Sequence, residues 1–251
     1  MADEVRVPIF VLTLLFSLLI QIGTNFANDY FDFVKGADNA HRKGPKRAVE
    51  QGWISPRSML LGTFSVFAAA FFIAIPLMMQ AGWWSYAIAA AAILFGTLYT
   101  GGPKPLGYLG LGELLVFIFF GPIAVCGTYF LQTDTLALPV FLASLAPGLL
   151  SCAILISNNL RDEPTDRIAN KRTLVVRFKR RFGAIEYTLS IAAAAAIPFF
   201  FSPLVWTAAI IFPLSLPLIK RAFFSPDLVP LLPGTARLLV LYTILFCAAI
   251  W

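Results

Sequence analysis

Between Arg57 and Lys104 the chain runs for 46 residues without a charged side chain, and between Asp134 and Arg161 for another 26. A helix needs about 20 apolar residues to cross a bilayer, and it satisfies its own backbone hydrogen bonds on the way. Runs of this kind set the fold class: all-α, a polytopic transmembrane helical bundle. Composition agrees, with 59% hydrophobic and only 13% charged residues, where soluble domains are about one-quarter charged. The net charge of +6 is explained first by loop asymmetry, so no nucleic-acid partner is inferred. Cys126, Cys152 and Cys247 all lie in apolar runs, with neither metal spacing nor a disulfide framework.

Eight spanning segments are expected, at about 8–33, 58–80, 83–100, 112–131, 137–159, 183–201, 203–220 and 236–251. Turn signals at Gln80-Ala-Gly82 and Ser202-Pro203 divide the longest runs. Pro198, Pro213 and Pro217 predict tilted or kinked helices towards the end. The connections after the odd-numbered segments carry 18 of the 19 Lys and Arg residues. By the positive-inside rule these connections are expected in the cytoplasm, in a multi-pass protein of the inner (plasma) membrane with both termini outside. No soluble domain or linker is expected, so 1–251 reads as a single transmembrane domain. The acidic start (Asp3, Glu4) argues against a cleavable signal peptide.

Two interruptions carry the chemistry. Asn25, Asn28, Asp29 and Asp32 close the first apolar run on adjoining helical turns, and Asn158, Asn159, Arg161, Asp162 and Asp166 close the fifth. Acids in such places are costly without counter-charge. Magnesium fits: a hard cation that takes oxygen ligands, usually a few carboxylates plus substrate phosphates. Basic residues surround both clusters: Arg42, Lys43, Lys46 and Arg47 after the first, Arg167, Lys171 and Arg172 beside the second, with Lys104 in a Gly/Pro-rich loop. Carboxylates with converging cations suit a metal-bound diphosphate, its lipid tail running among the helices.

The pattern Asn28-Asp29-x-x-Asp32 with Asp162-x-x-x-Asp166 resembles the two aspartate-rich motifs of the UbiA superfamily of intramembrane prenyltransferases. The segments Lys35-Gly36-x-Asp38, Gly44-Pro45-x-Arg47, Tyr99-Thr100-Gly-Gly-Pro103, Tyr108-x-Gly110-Leu-Gly-Glu113, Asn158-Asn159-x-Arg161-Asp162 and Lys171-Arg-Thr173-Leu174 are similar to its 1,4-dihydroxy-2-naphthoate polyprenyltransferase branch. The resemblance implies transfer of a polyprenyl chain from its diphosphate to dihydroxynaphthoate, giving demethylmenaquinone, pyrophosphate and carbon dioxide. It implies Asn28, Asp32, Asp162 and Asp166 as catalytic residues that hold Mg2+, with Asp29 supporting. Asn25, Arg47, Lys104, Asn159, Arg161 and Lys171 become diphosphate contacts, and Tyr99 and Asn158 line the substrate cavity. Implied partners are the two substrates and membrane lipid, with no obligate protein partner. Members of this family usually carry nine spanning helices, and the first is expected to be absent here.

Plainer readings stand beside these. The basic loops need no ligand if they only set topology. Glu113 opens the fourth segment and either complements the helix dipole or has a function. His41 is the lone histidine, so no histidine-based metal site is expected. The Gly-x-Gly pattern at 107–112 follows no strand and is not a dinucleotide site. A cation-coupled transporter would want its acids at mid-membrane, whereas these sit at helix ends. A sister prenyltransferase acting on 4-hydroxybenzoate, haem or a chlorophyll precursor is the nearer alternative.

Overall fold

The computed structural model describes residues 5–37 and 44–250, so Asp38, His41, Arg42 and Lys43 lie outside the described residues. Eight helices follow in order: α1 (Val7–Val34), α2 (Pro56–Ala81), α3 (Trp83–Leu98), α4 (Gly112–Thr133), α5 (Leu138–Ile168), α6 (Leu174–Phe200), α7 (Pro203–Phe224) and α8 (Leu231–Ile250). No strand occurs among the described residues. Among the described residues, seven helices are long and apolar enough to cross a membrane. The 16-residue α3 is apolar but shorter, about 24 Å at the usual helical rise.

Local chemistry sets the ends. Ser55 caps α2, its hydroxyl accepting the Ser58 N–H at 3.1 Å, with Pro56 in the first turn. Gly82 parts α2 from α3 at φ 94°, a backbone geometry that side chains disfavour. Ser202, extended, parts α6 from α7. Both expected turns are therefore present.

Two boundaries differ most from expectation: the fifth helix continues to Ile168 rather than stopping near 159, and the eighth begins at Leu231 rather than 236. A short helical stretch from Leu174 also precedes the sixth span, whose regular course follows Lys179, close to the expected start at 183. The basic stretch from Arg161 to Arg181 is therefore mostly helix, with a short connection at 169–173. Charged residues end the stretch that suits hydrocarbon, but Arg, Glu and Lys are good helix formers and carry the helix into polar surroundings. Within α6, Lys179 breaks the regular dihedrals at φ 70° and ψ 169°.

The chain divides into two compact units, Met1–Leu109 with Gly127–Leu136, and Gly110–Cys126 with Ala137–Trp251. In the first, α1 packs along α2, and α3 against both. Ala70, Ala74, Met78 and Ala89 are buried there. At one end Arg6 donates to Asp134 at 2.6 Å, and Gln80 donates to the Leu131 carbonyl at 2.9 Å.

In the second unit α5 packs against α4, α6 and α8. Gly121 of α4 and Gly148 of α5 meet backbone to backbone: a Cβ on Gly121 would lie 2.9 Å from the Ser144 carbonyl oxygen, and one on Gly148 2.9 Å from that of Phe117. Small residues of this kind let apolar helices approach closely. Three buried hydroxyls tie α5, α6 and α8 together, with Thr235 Oγ1 at 2.7 Å from Tyr187 Oη and 3.3 Å from Ser157 Oγ. Arg180 donates to the carbonyls of Ala222, Arg221 and Ser225, which satisfies the C-terminal end of α7.

Candidate functional site

The first acidic turn closes α1. Asp29 and Asp32 are both buried, Asn28 is half-buried and Asn25 is exposed one turn earlier. The Asp29 carboxylate accepts two main-chain N–H groups, Ala48 at 3.0 Å and Val49 at 3.3 Å. Its place in the structure is thus to hold the turn after Arg47 against α1. Asp32 Oδ1 accepts from the Tyr108 hydroxyl at 2.8 Å. The Asn28 carboxamide oxygen accepts from Thr100 Oγ1 at 2.9 Å.

Lys35, a residue the sequence reading assigned no contact, also lies here. Its ammonium donates to the carbonyl oxygens of Thr100 at 2.5 Å and Gly102 at 2.8 Å. It also sits over the rings of Phe31 and Tyr108, 5.8 and 5.4 Å from their centroids. Partial burial pulls its pKa below the ordinary lysine range, and the nearby Asp32 charge opposes that. Tyr99 is half-buried where α3 ends, Arg47 is half-buried, and Lys104 is exposed in the connection that follows α3.

The second acidic turn lies on α5 and is arranged differently. Arg161 grips its neighbour Asp162 with two parallel bonds, Nε to Oδ1 at 2.7 Å and Nη2 to Oδ2 at 2.6 Å. Both side chains are largely buried. Asp166, also buried, faces the Lys171 ammonium at 3.5 Å. Asn158 is half-buried, while Asn159 is buried and donates from Nδ2 to Glu113 Oε1 at 2.9 Å.

Glu113 therefore does more than complement a helix dipole: it is buried and bonded to a predicted site residue. Glu186, inside α6, had no place in the sequence reading, yet its Oε2 and that of Glu113 are both sealed from solvent and without a hydrogen bond. The signal was available, since an acid inside an apolar span is rare.

Among the described residues, no three His, Cys, Asp or Glu side chains gather as a metal cluster. Each acidic turn instead offers two carboxylates and neighbouring carboxamides, an oxygen donor set with no sulfur or imidazole. That set suits a hard cation whose remaining ligands come from phosphate and water. Residues of this type, at the ends of long apolar helices, define a polytopic helical membrane protein with polar, acid-bearing turns.

Comparison with known proteins gives the family. Residues 2–227 match the UbiA prenyltransferase family. The chain is 40% identical over 189 residues to the 1,4-dihydroxy-2-naphthoate octaprenyltransferase of Mycobacterium tuberculosis, covering 75% of this chain and 64% of that protein. It is 36% identical over 253 residues to the protein of the same name from Haemophilus influenzae, covering 95% and 82%. It is 33% identical over 181 residues to human UbiA prenyltransferase domain-containing protein 1, covering 68% and 50%. The chain thus spans less than two thirds of the mycobacterial relative and about half of the human one. It belongs to the UbiA prenyltransferase family, enzymes that transfer prenyl groups.

Proposed function

We propose that this protein transfers a polyprenyl chain from polyprenyl diphosphate to 1,4-dihydroxy-2-naphthoate, with the active site towards the cytoplasm. The observation that carries the reading is the pair of buried acidic turns, one on α1 and one on α5, each with carboxamides and cations beside it. The names of the bacterial relatives support the choice of acceptor.

Asn28 and Asp32 on one turn, and Asp162 and Asp166 on the other, would hold magnesium on the substrate diphosphate. Bound there, the ion would neutralise charge growing on the departing pyrophosphate. Arg161, Lys171 and Lys104 stabilise the same charge as hydrogen-bond donors. Asp29 holds the turn that carries Arg47. Apolar helix walls exclude water, so the allylic carbon meets the electron-rich ring instead.

The bond between the prenyl carbon and the diphosphate oxygen breaks, and its electron pair leaves with pyrophosphate. A carbon–carbon bond forms at the ring carbon that bears the carboxylate. That carboxylate leaves as carbon dioxide, and its electron pair restores the aromatic ring. Membranes containing the protein, supplied with magnesium, a polyprenyl diphosphate and dihydroxynaphthoate, are expected to yield demethylmenaquinol, detected by mass directly or as demethylmenaquinone after oxidation by air during work-up. Transfer to 4-hydroxybenzoate alone would reassign the acceptor, and no transfer at all would end the proposal.

A further inference from the structure

The family resemblance implies Asn159 as a diphosphate contact, a part its amide would fill as a donor. The structure gives that amide another use. In the structure the Asn159 carboxamide faces Glu113 with its nitrogen, which donates to Oε1 at 2.9 Å. An ionised carboxylate only accepts, so it favours this orientation over one that sets two acceptors against each other. Glu113 has no alternative partner, because its Oε2 is sealed and takes no hydrogen bond. Glu113 is also fixed in place: the Cys152 thiol lies 3.2 Å from its carbonyl oxygen, tying the start of α4 to α5. The Asn159 oxygen, by contrast, accepts no hydrogen bond among the described residues. Asn159 lies three residues, about 4.5 Å of helical rise, before Asp162.

We propose that Glu113 is a positioning residue that locks Asn159 with its oxygen outward, so that residue 159 contributes an oxygen ligand to the cation rather than a donor to the diphosphate. The inference rests on the proposed function. It enlarges the oxygen set of the second turn from Asp162 and Asp166 to three side chains, and it assigns a use to a buried acid that the reaction scheme leaves idle.

The purified full chain in detergent is the material for the test. Mn2+ stands for the divalent cation and farnesyl thiodiphosphate for the diphosphate, with Mn2+ affinity read by EPR and thiodiphosphate affinity by calorimetry. Glu113→Gln can face residue 159 with either end of its amide and should weaken Mn2+ binding by about 10-fold, in the range found when a ligand's supporting partner is lost. Asn159→Asp alone opposes two carboxylates and should weaken it at least as much. In the double variant, Glu113→Gln with Asn159→Asp, the amide at 113 donates to the carboxylate at 159 and an oxygen again faces outward. Mn2+ affinity should then return to near the wild-type value.

A double variant that binds both probes no better than Asn159→Asp overturns the inference, since the amide would then be needed as a donor. Wild-type Mn2+ affinity in Glu113→Gln overturns it equally. If a single variant does not fold, the double variant is judged against the wild type: near-wild-type Mn2+ affinity supports the inference, and a loss of about 10-fold overturns it. A wild-type chain that binds neither probe removes the proposed function itself, and this shows in the control before any variant is compared.

Discussion

The two acidic turns solve one electrostatic problem in opposite ways. On α1 the carboxylates are held by neutral donors: main-chain N–H groups for Asp29 and a phenol for Asp32. The ammonium of Lys35 donates to carbonyl oxygens instead. On α5 the carboxylates face cations, Arg161 on Asp162 and Lys171 on Asp166. A carboxylate held by neutral donors keeps its full charge available to an incoming cation. One already paired must share it, and its partner is stranded if the acid is removed. Under the proposed function, the first turn would take a cation directly, while the second would couple its binding to the freedom of Arg161.

Substitutions can break this comparison. The largest expected effect is on turnover: Asp32→Asn and Asp162→Asn should each cost at least about 100-fold, the scale of losing one charge-stabilising group. Wild-type rates in either would exclude that carboxylate from the chemistry. Stability should then separate the two. Asp162→Asn leaves Arg161 buried with half its partner and should cost about 3 kcal/mol, whereas Asp32→Asn should cost about 1 kcal/mol. Equal losses in denaturant midpoint would erase the contrast.

Asp29→Ala should cost about 2 kcal/mol, from two charge-assisted bonds to the backbone. Hydrogen exchange at Ala48 and Val49 should speed up, while turnover stays near wild type; a loss of turnover as large as that of Asp32→Asn would make Asp29 a ligand after all. Tyr108→Phe removes one hydrogen bond and should cost about 1 kcal/mol.

The smallest effect is expected away from both turns. Asp134 is held below the usual carboxylate range, chiefly by the Arg6 hydrogen bond and then by Gln80. A depressed acid contributes above its ordinary value, and the contribution is lost as pH falls through the lowered one. Asp134→Asn should make the acid-side fall in thermal midpoint slightly shallower, and only slightly, because exposed pairs are screened.

Hydropathy made the helices legible, and it also limited what could be read. The uncharged runs located all eight helices, and Gly82 and Ser202 marked the breaks between them. The C-terminal end of α5 was misplaced because apolar character reports where lipid surrounds a helix, not where the helix stops. Spacing alone brought out Asp29, Asp32, Asp162 and Asp166 as a set. It could not distinguish Asp29, which binds backbone, from Asp32, three residues further along the same helix, which binds a side chain. That difference depends on what a distant segment presents: Ala48 and Val49 to one, Tyr108 to the other. Glu186 was passed over because a single acid does not end an apolar run.

The crossing of Gly121 and Gly148 has a consequence well beyond its own location. Two helices touching there with only hydrogen atoms between them act like the rivet of a pair of shears. Glu113 stands eight residues from that rivet on one blade, about 12 Å along the helix, and Asn159 eleven residues away on the other. A single methyl group at the rivet would pry the blades apart and stretch the acid–amide contact at their tips, although it touched neither residue.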